Sequence, residues 1–116
     1  MRRARIKPRS KIWIELDGRY LMGDGRAALL QAIDRCGSII GAARELCISY
    51  RHAWGYIQKV ESRLGMKIVE TRRGGAQGGR TSLTKRGKDF LQKYLDFRAG
   101  INEEIDQRFA RYFQRR

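Results

Sequence analysis

Residues Gly37–Gly65 read GSIIGAARELCISYRHAWGYIQKVESRLG, and this stretch decides the fold. Ser38 can cap a helix, because its hydroxyl accepts from the free backbone donors that follow. Ile39, Ala42, Ala43 and Leu46 then recur at helical spacing. Ser49 is a second cap, opening a longer helix with the apolar stripe Ala53, Ile57, Val60 and Leu64 and with Gly65 as its stop. Two helices joined by so short a turn, with Gly41, Ala42 and Ala43 permitting close approach, match a helix-turn-helix.

The other face of the second helix carries Arg51, His52, Gly55, Gln58, Lys59 and Ser62, with Glu61 as its single acid. A mid-helix glycine costs roughly 1 kcal/mol relative to alanine, yet it lets a backbone come close to another surface. Ser49, Tyr50, Arg51 and His52 occupy the first turn, the part of a recognition helix that meets base edges and phosphates. The alternative is an ordinary surface helix with a solvated basic face.

The chain has 116 residues, enough for one domain with a modest core. Its net charge of +14 is that of a polyanion binder. The surplus is +5 over residues 1–16, zero over 17–37, +2 over 38–65, +3 over 66–83 and +4 over 84–116. Nucleic acid is favoured over membrane, since no stretch is apolar for long enough to span a bilayer. Cys36 and Cys47 form no Cys-x-x-Cys, and no secretory signal precedes them. They are expected to be buried, reduced thiols in a cytoplasmic protein. His52 has no histidine or cysteine partner at ligand spacing, so neither a metal site nor a cofactor is expected.

Residues 1–10, MRRARIKPRS, form a basic flexible arm that is either a solvated tail or a phosphate or minor-groove contact. Lys11–Leu16 and Arg19–Met22 flank Asp17-Gly18 and predict a hairpin, in which Trp13 serves packing. Asp24 is expected to cap a first helix running to Cys36, built on Ala28, Leu29, Leu30, Ala32 and Ile33 and ended by Gly37. Met66–Thr71 and Arg80–Leu83 read as strands around the glycine-rich loop Gly74–Gly79, with arginines on both legs. That is the make-up of a wing, with basic stems for phosphates and a slim tip for the minor groove. Gly74–Thr81 also approaches a phosphate-binding loop. That chemistry needs lysine where Arg80 stands and a helix where Thr81–Leu83 looks extended.

Thr84 is expected to cap a long final helix, Lys85 to about Phe113. Phe90, Tyr94, Phe97, Ile101, Ile105, Arg108 and Tyr112 follow spacings of three and four, widened by Leu91, Leu95, Phe109 and Phe113. A stripe this long exceeds what a small monomer covers, so pairing with a second copy is the simplest remedy. Its first half could also pack on the domain's own core.

This order of elements resembles the N-terminal DNA-binding domain of molybdate-responsive regulators of the ModE type, and more distantly that of LysR-type regulators. The residues carrying the likeness are Gly37-Ser38-Ile39 with Ala42-Ala43, then Ile48–Trp54. Val69-Glu70, the Gly74–Gly79 loop and Leu83–Gly87 continue it. The resemblance implies a homodimeric regulator on a palindromic operator near genes for molybdenum uptake or use. It places Ser49, Tyr50, Arg51 and His52 in the major groove and the segment Arg72–Arg80 on the backbone. Trp54 fits the pattern too, but it adjoins the apolar stripe and reads as core. Full-length members sense oxyanions through C-terminal β-rich domains, which this chain lacks the length to build. It is therefore expected to act without molybdate or to take the signal from a separate molybdate-binding protein.

The expected fold class is mainly α with small β hairpins: a winged helix-turn-helix over 11–83 and a C-terminal dimerisation helix over 84–116. The expected DNA contacts are Ser38, Arg44, Ser49, Tyr50, Arg51, His52, Lys59, Arg72, Arg73, Arg80 and Thr81. The expected dimer contacts are Phe90, Leu91, Tyr94, Phe97, Ile101, Ile105, Phe109 and Tyr112. Arg51 is the candidate for reading a base, and Arg44, Lys59, Arg72, Arg73 and Arg80 those for phosphates. A sequence-indifferent architectural protein and a dimeric interaction module are the competing readings. No nucleophile, acid–base pair or metal cluster suggests an enzyme.

Overall fold

The computed structural model describes residues 5–73 and 79–114. Residues 74–78, which make up most of the expected wing tip, and the first four residues of the arm lie outside that range. Strands β1 (Trp13–Leu16) and β2 (Arg19–Gly23) form the first hairpin. Helices α1 (Asp24–Cys36), α2 (Ile39–Glu45) and α3 (Tyr50–Leu64) follow it. A second hairpin, β3 (Val69–Arg72) and β4 (Arg80–Leu83), leads into α4 (Lys85–Arg98) and α5 (Ile101–Phe113). Both hairpins are antiparallel. Among the described residues no helix is long and apolar enough to cross a membrane.

The local signals act where the sequence places them. Ser38 Oγ accepts from Gly41 N at 2.9 Å, Ser49 Oγ from His52 N at 3.0 Å and Thr84 Oγ1 from Gly87 N at 3.0 Å, so each helix start has a satisfied donor. Asp17 and Gly18 both take positive φ, the two-residue turn whose twist suits a hairpin. In β2 the pairing jumps from Ile14–Met22 to Glu15–Tyr20. Leu21 is thus left without an opposite residue, a bulge that turns both Leu21 and Met22 into the core. Leu29, Leu30 and Ile33 of α1 meet Ala42 and Ala43 of α2 and Ala53, Ile57 and Val60 of α3. Ile68, Leu83, Leu91 and Tyr94 close the other side. Between α2 and α3 the turn is held by Ile48 N donating to Ala43 O at 3.0 Å, with Cys47 at φ 58°.

Four expectations need correction. Asp24 does not cap α1: Gly23 is the N-cap and makes no side-chain cap bond. The Asp24 carboxylate instead accepts from Tyr94 Oη at 2.6 Å and from Arg98 Nε at 3.2 Å, tying α1 to α4. Burial, followed by that hydrogen bond, raises the Tyr94 phenol above its ordinary value. Cys36 and Cys47 are free but exposed. Cys36 is the last residue of α1, beyond the layer that Ile33 seals, and the left-handed backbone at Cys47 turns its side chain outward. Trp54 is 37% exposed, because it sits one residue out of phase with the Ala53–Ile57–Val60 stripe. Last, the helical segment from Lys85 to Phe113 is present in two pieces. Ala99 is extended and Gly100 lies at φ 87°, so α4 stops and α5 starts on a new axis. None of α5's residues is buried, whereas the arm's last residue is attached at this joint. Ser10 Oγ donates to Asn102 Oδ1 at 2.7 Å, and Arg98 Nη2 donates to Ser10 O at 3.2 Å.

Helix α4 comes close to the backbone just before β3 at a small residue, Gly87. A Cβ at Gly87 would fall against the Ile68 carbonyl oxygen, which cannot move because Thr84 N also donates to it at 2.8 Å. A Cβ at Gly55 would meet nothing within 4 Å. The two glycines should therefore respond in opposite senses to alanine. Gly87→Ala is expected to lower unfolding free energy by about 1–3 kcal/mol through overpacking. Gly55→Ala should raise it by about 0.5–1 kcal/mol. Urea titration of the two variants checks both signs.

Candidate nucleic-acid interface

The first turn of α3 faces outward. Tyr50, Arg51 and His52 are exposed, and the Ser49 cap fixes where the helix begins. The 15-residue helix presents the positive end of its dipole at this turn. The His52 ring stacks on Tyr56 at 6.1 Å, while Gln58, Lys59 and Ser62 continue the exposed face along the helix. Among the described residues, Arg44, Arg51 and Lys59 make neither an ion pair nor a side-chain hydrogen bond.

Helix α3 lies beside the first leg of the wing. Trp54, one turn beyond Tyr50, shares a cavity of about 510 Å³ with Ile39, Val69 and Thr71. Arg72 and Arg73 extend from that leg, exposed and unpaired among the described residues. Glu61, read from sequence as a stray negative charge on the outer face, fixes this arrangement. Its carboxylate accepts from Ile68 N at 2.8 Å and Val69 N at 3.3 Å, at the entry to β3. Lys67 Nζ stands 3.9 Å away on an 82% exposed side chain and adds little. One acid on an otherwise basic helix, just before a strand, was the available signal.

Several expected contact residues serve the scaffold. Arg80 Nη2 donates to Asp34 O at 2.9 Å, and its side chain covers Gly37, so this guanidinium closes the end of α1. Thr81 Oγ1 shares a 3.0 Å hydrogen bond with Thr71 Oγ1 across the hairpin. Ser38 is half-buried with its hydroxyl engaged in the α2 cap. Arg80–Leu83 is a strand, so the phosphate-loop likeness at Gly74–Thr81 has no helix behind it. Of the expected dimer residues, Leu91 and Tyr94 are buried in this chain's own core and cannot face a partner. Phe90 is half-buried against that core. Phe97 and Tyr112 are exposed, and Ile101, Ile105 and Phe109 are half-buried along α5, where Phe109 stacks on Phe113 at 4.8 Å.

A three-helix core, a two-stranded wing and an exposed third-helix turn define a winged helix-turn-helix. The family described as "Bacterial regulatory helix-turn-helix protein, lysR family" matches residues 26–88, from α1 to the first turn of α4. The chain belongs to that family. It is 41% identical over 80 residues to the molybdenum-pterin-binding protein MopB of Rhodobacter capsulatus, covering 69% of this chain and 30% of that protein. It is 33% identical over 81 residues to the transcriptional regulator ModE of Haemophilus influenzae, covering 70% of this chain and 32% of the relative. The chain thus spans about a third of the length of these relatives. Among solved structures, the BenM DNA-binding domain in complex with benA site 1 DNA superposes with a TM-score of 0.59. That match, at 21% identity, covers 78% of this chain and 97% of the other, and it shows the shared fold.

Replacing Glu61 by alanine leaves two backbone donors without their charged acceptor. It is expected to cost roughly 2–3 kcal/mol. Amide hydrogen exchange at Ile68 and Val69 should quicken selectively, which unfolding measurements alone would not reveal.

Proposed function

We propose that this chain is a sequence-specific DNA-binding transcription regulator acting as a homodimer in the cytoplasm. The observation that carries the reading is the exposed Ser49–His52 turn at the start of α3, flanked by Arg44, Arg51, Lys59, Arg72 and Arg73, cations without an ion pair among the described residues. In this reading residues 11–83 form the DNA-reading domain. The basic arm 1–10 and the segment 84–116 flank it, and the latter pairs two copies. Two recognition turns related by a two-fold axis would enter major grooves about 34 Å apart, matching a palindromic operator. Arg51 reads a base, and Arg72 and Arg73 hold phosphates. The names of MopB and ModE support a link to molybdenum handling. The oxyanion signal is then sensed outside these 116 residues, a separate molybdate-binding chain being one source.

Two measurements test the reading. After binding sites are selected from random duplexes, Arg51→Ala should lose about 1–3 kcal/mol of preference for the selected sequence. Arg73→Ala should weaken all sequences alike and reduce the salt slope by about one. Identical behaviour of the two variants would overturn specific reading.

Pairing has its own test, because α5 buries no residue within the chain while its apolar side carries Ile101, Ile105 and Phe109. The double variant Ile105→Asp, Phe109→Asp should sediment as a monomer with its helix content retained. A wild-type chain already monomeric at tens of micromolar would remove the homodimer from the proposal, since pairing through an apolar face should tighten well below that range.

A further inference from the structure

A cavity of about 440 Å³ opens between the first hairpin, the start of α1 and the turn of the helix-turn-helix. Its apolar walls are Ala28, Leu46 and Ile48, the last two straddling the left-handed Cys47. Tyr20 and Tyr56 add aromatic rings, and Arg26 contributes a charge. This volume falls in the range of small-molecule sites, as does the pairing of an apolar lining with few polar groups.

Arg26 is the unusual member, being only 9% exposed. Its guanidinium carbon lies 4.5 Å from the Tyr20 ring centre and 5.3 Å from that of Tyr56. Nη1 donates to Leu21 O at 2.8 Å and Tyr20 O at 3.4 Å. Arg63 donates to the same Tyr20 carbonyl, so two cations converge there. Neither has a carboxylate among the described residues, whose ion pairs are Arg35–Glu45, Lys67–Glu61 and Arg98–Asp24. Nε and Nη2 of Arg26 also find no acceptor within the described chain, and they are not sealed from solvent, since Arg98 Nη1 is the one buried side-chain nitrogen left unpartnered among the described residues. A buried cation without a counter-charge is disfavoured, and burial accordingly lowers the Arg26 pKa, with Arg63 pushing the same way. The tyrosine faces compensate only in part.

We propose that this cavity is a binding site for a small apolar carboxylate, its body against Ala28, Leu46 and Ile48 and its carboxylate on the free edge of Arg26. Such a ligand supplies the missing negative charge to donors that only solvent now reaches, through a charge-assisted hydrogen bond. A duplex phosphate suits the site poorly, because Arg26 is largely buried among the mostly apolar and aromatic residues that line the cavity, whereas the interface cations stand in solvent. An occupant would touch both residues flanking Cys47, and so the turn that joins α2 to α3.

The test uses the full chain without DNA, so its outcome is independent of the regulator reading. Titration with 2-naphthoate, followed by two-dimensional amide NMR, should shift Tyr20, Arg26, Leu46 and Ile48. The neutral 2-naphthol should bind at least about tenfold more weakly, the loss of one charge-assisted contact. Arg26→Gln also removes anchors for two carbonyls and can unfold the hairpin. Ala28→Phe, which fills the cavity and leaves Arg26 in place, therefore serves as the second variant and should abolish the shifts. The proposal is overturned by absent shifts at millimolar naphthoate, by equal binding of naphthoate and naphthol, or by binding that survives Ala28→Phe.

Discussion

Each leg of the wing is fastened to a helix by one carboxylate. Glu61 of α3 accepts the amides of Ile68 and Val69 where β3 begins, and Asp34 of α1 accepts Leu83 N at 3.2 Å where β4 ends. Gly37 O adds a bond from Thr81 N at 2.9 Å, so the end of α1 serves as a short extra edge for β4. A two-stranded hairpin is marginal alone in water. Here its orientation follows from charge-assisted bonds to backbone donors, which hold direction better than apolar contact does. The position of α3 against the wing, and hence the shape of the candidate interface, depends on these two acids.

In a chain with 26 basic residues, the cations divide by partner rather than by kind. Arg26, Arg63, Arg80 and Arg98 turn inward to carbonyls or to Asp24 and hold the hairpin, the end of α1 and the α4 joint. Arg44, Arg51, Arg72 and Arg73 keep their donors in solvent. Arginine suits both uses, because its planar fork can bridge two carbonyls or grip a phosphate. Sequence charge alone therefore overstates the cations available to a polyanion.

The parts legible in the sequence were those fixed within one turn of chain. Ser38, Ser49 and Thr84 cap where they stand, Gly37 and Gly65 stop helices in left-handed geometry, and Asp17-Gly18 turns the first hairpin. The illegible parts depend on what lies across the fold. Asp24 looked like a cap until Tyr94, 70 residues away, turned out to be its partner. Arg80 belonged by position to the wing and by contact to α1. Trp54 sits at the margin of an apolar stripe, where a shift of one residue decides between core and surface. Leu91 and Tyr94 share the periodicity of Ile101 and Ile105, but only the former face the core. For the candidate site, the Ser49 turn and the free arginines were readable, whereas Glu61 and the buried Arg26 were not.

The kink at Ala99–Gly100 makes the C-terminal helix a lever with a single pivot. Helix α4 is clamped through Asp24, Tyr94 and Arg98, whereas α5 runs on for 13 residues without entering the core. At 1.5 Å per residue that arm is about 20 Å long, so a swing of roughly 10° carries its end some 3 Å. The pivot residue is a glycine at φ 87°, with open space where a Cβ would stand. Whatever α5 grips would thus be geared to the body through one peptide, with the Ser10–Asn102 bond as its brake.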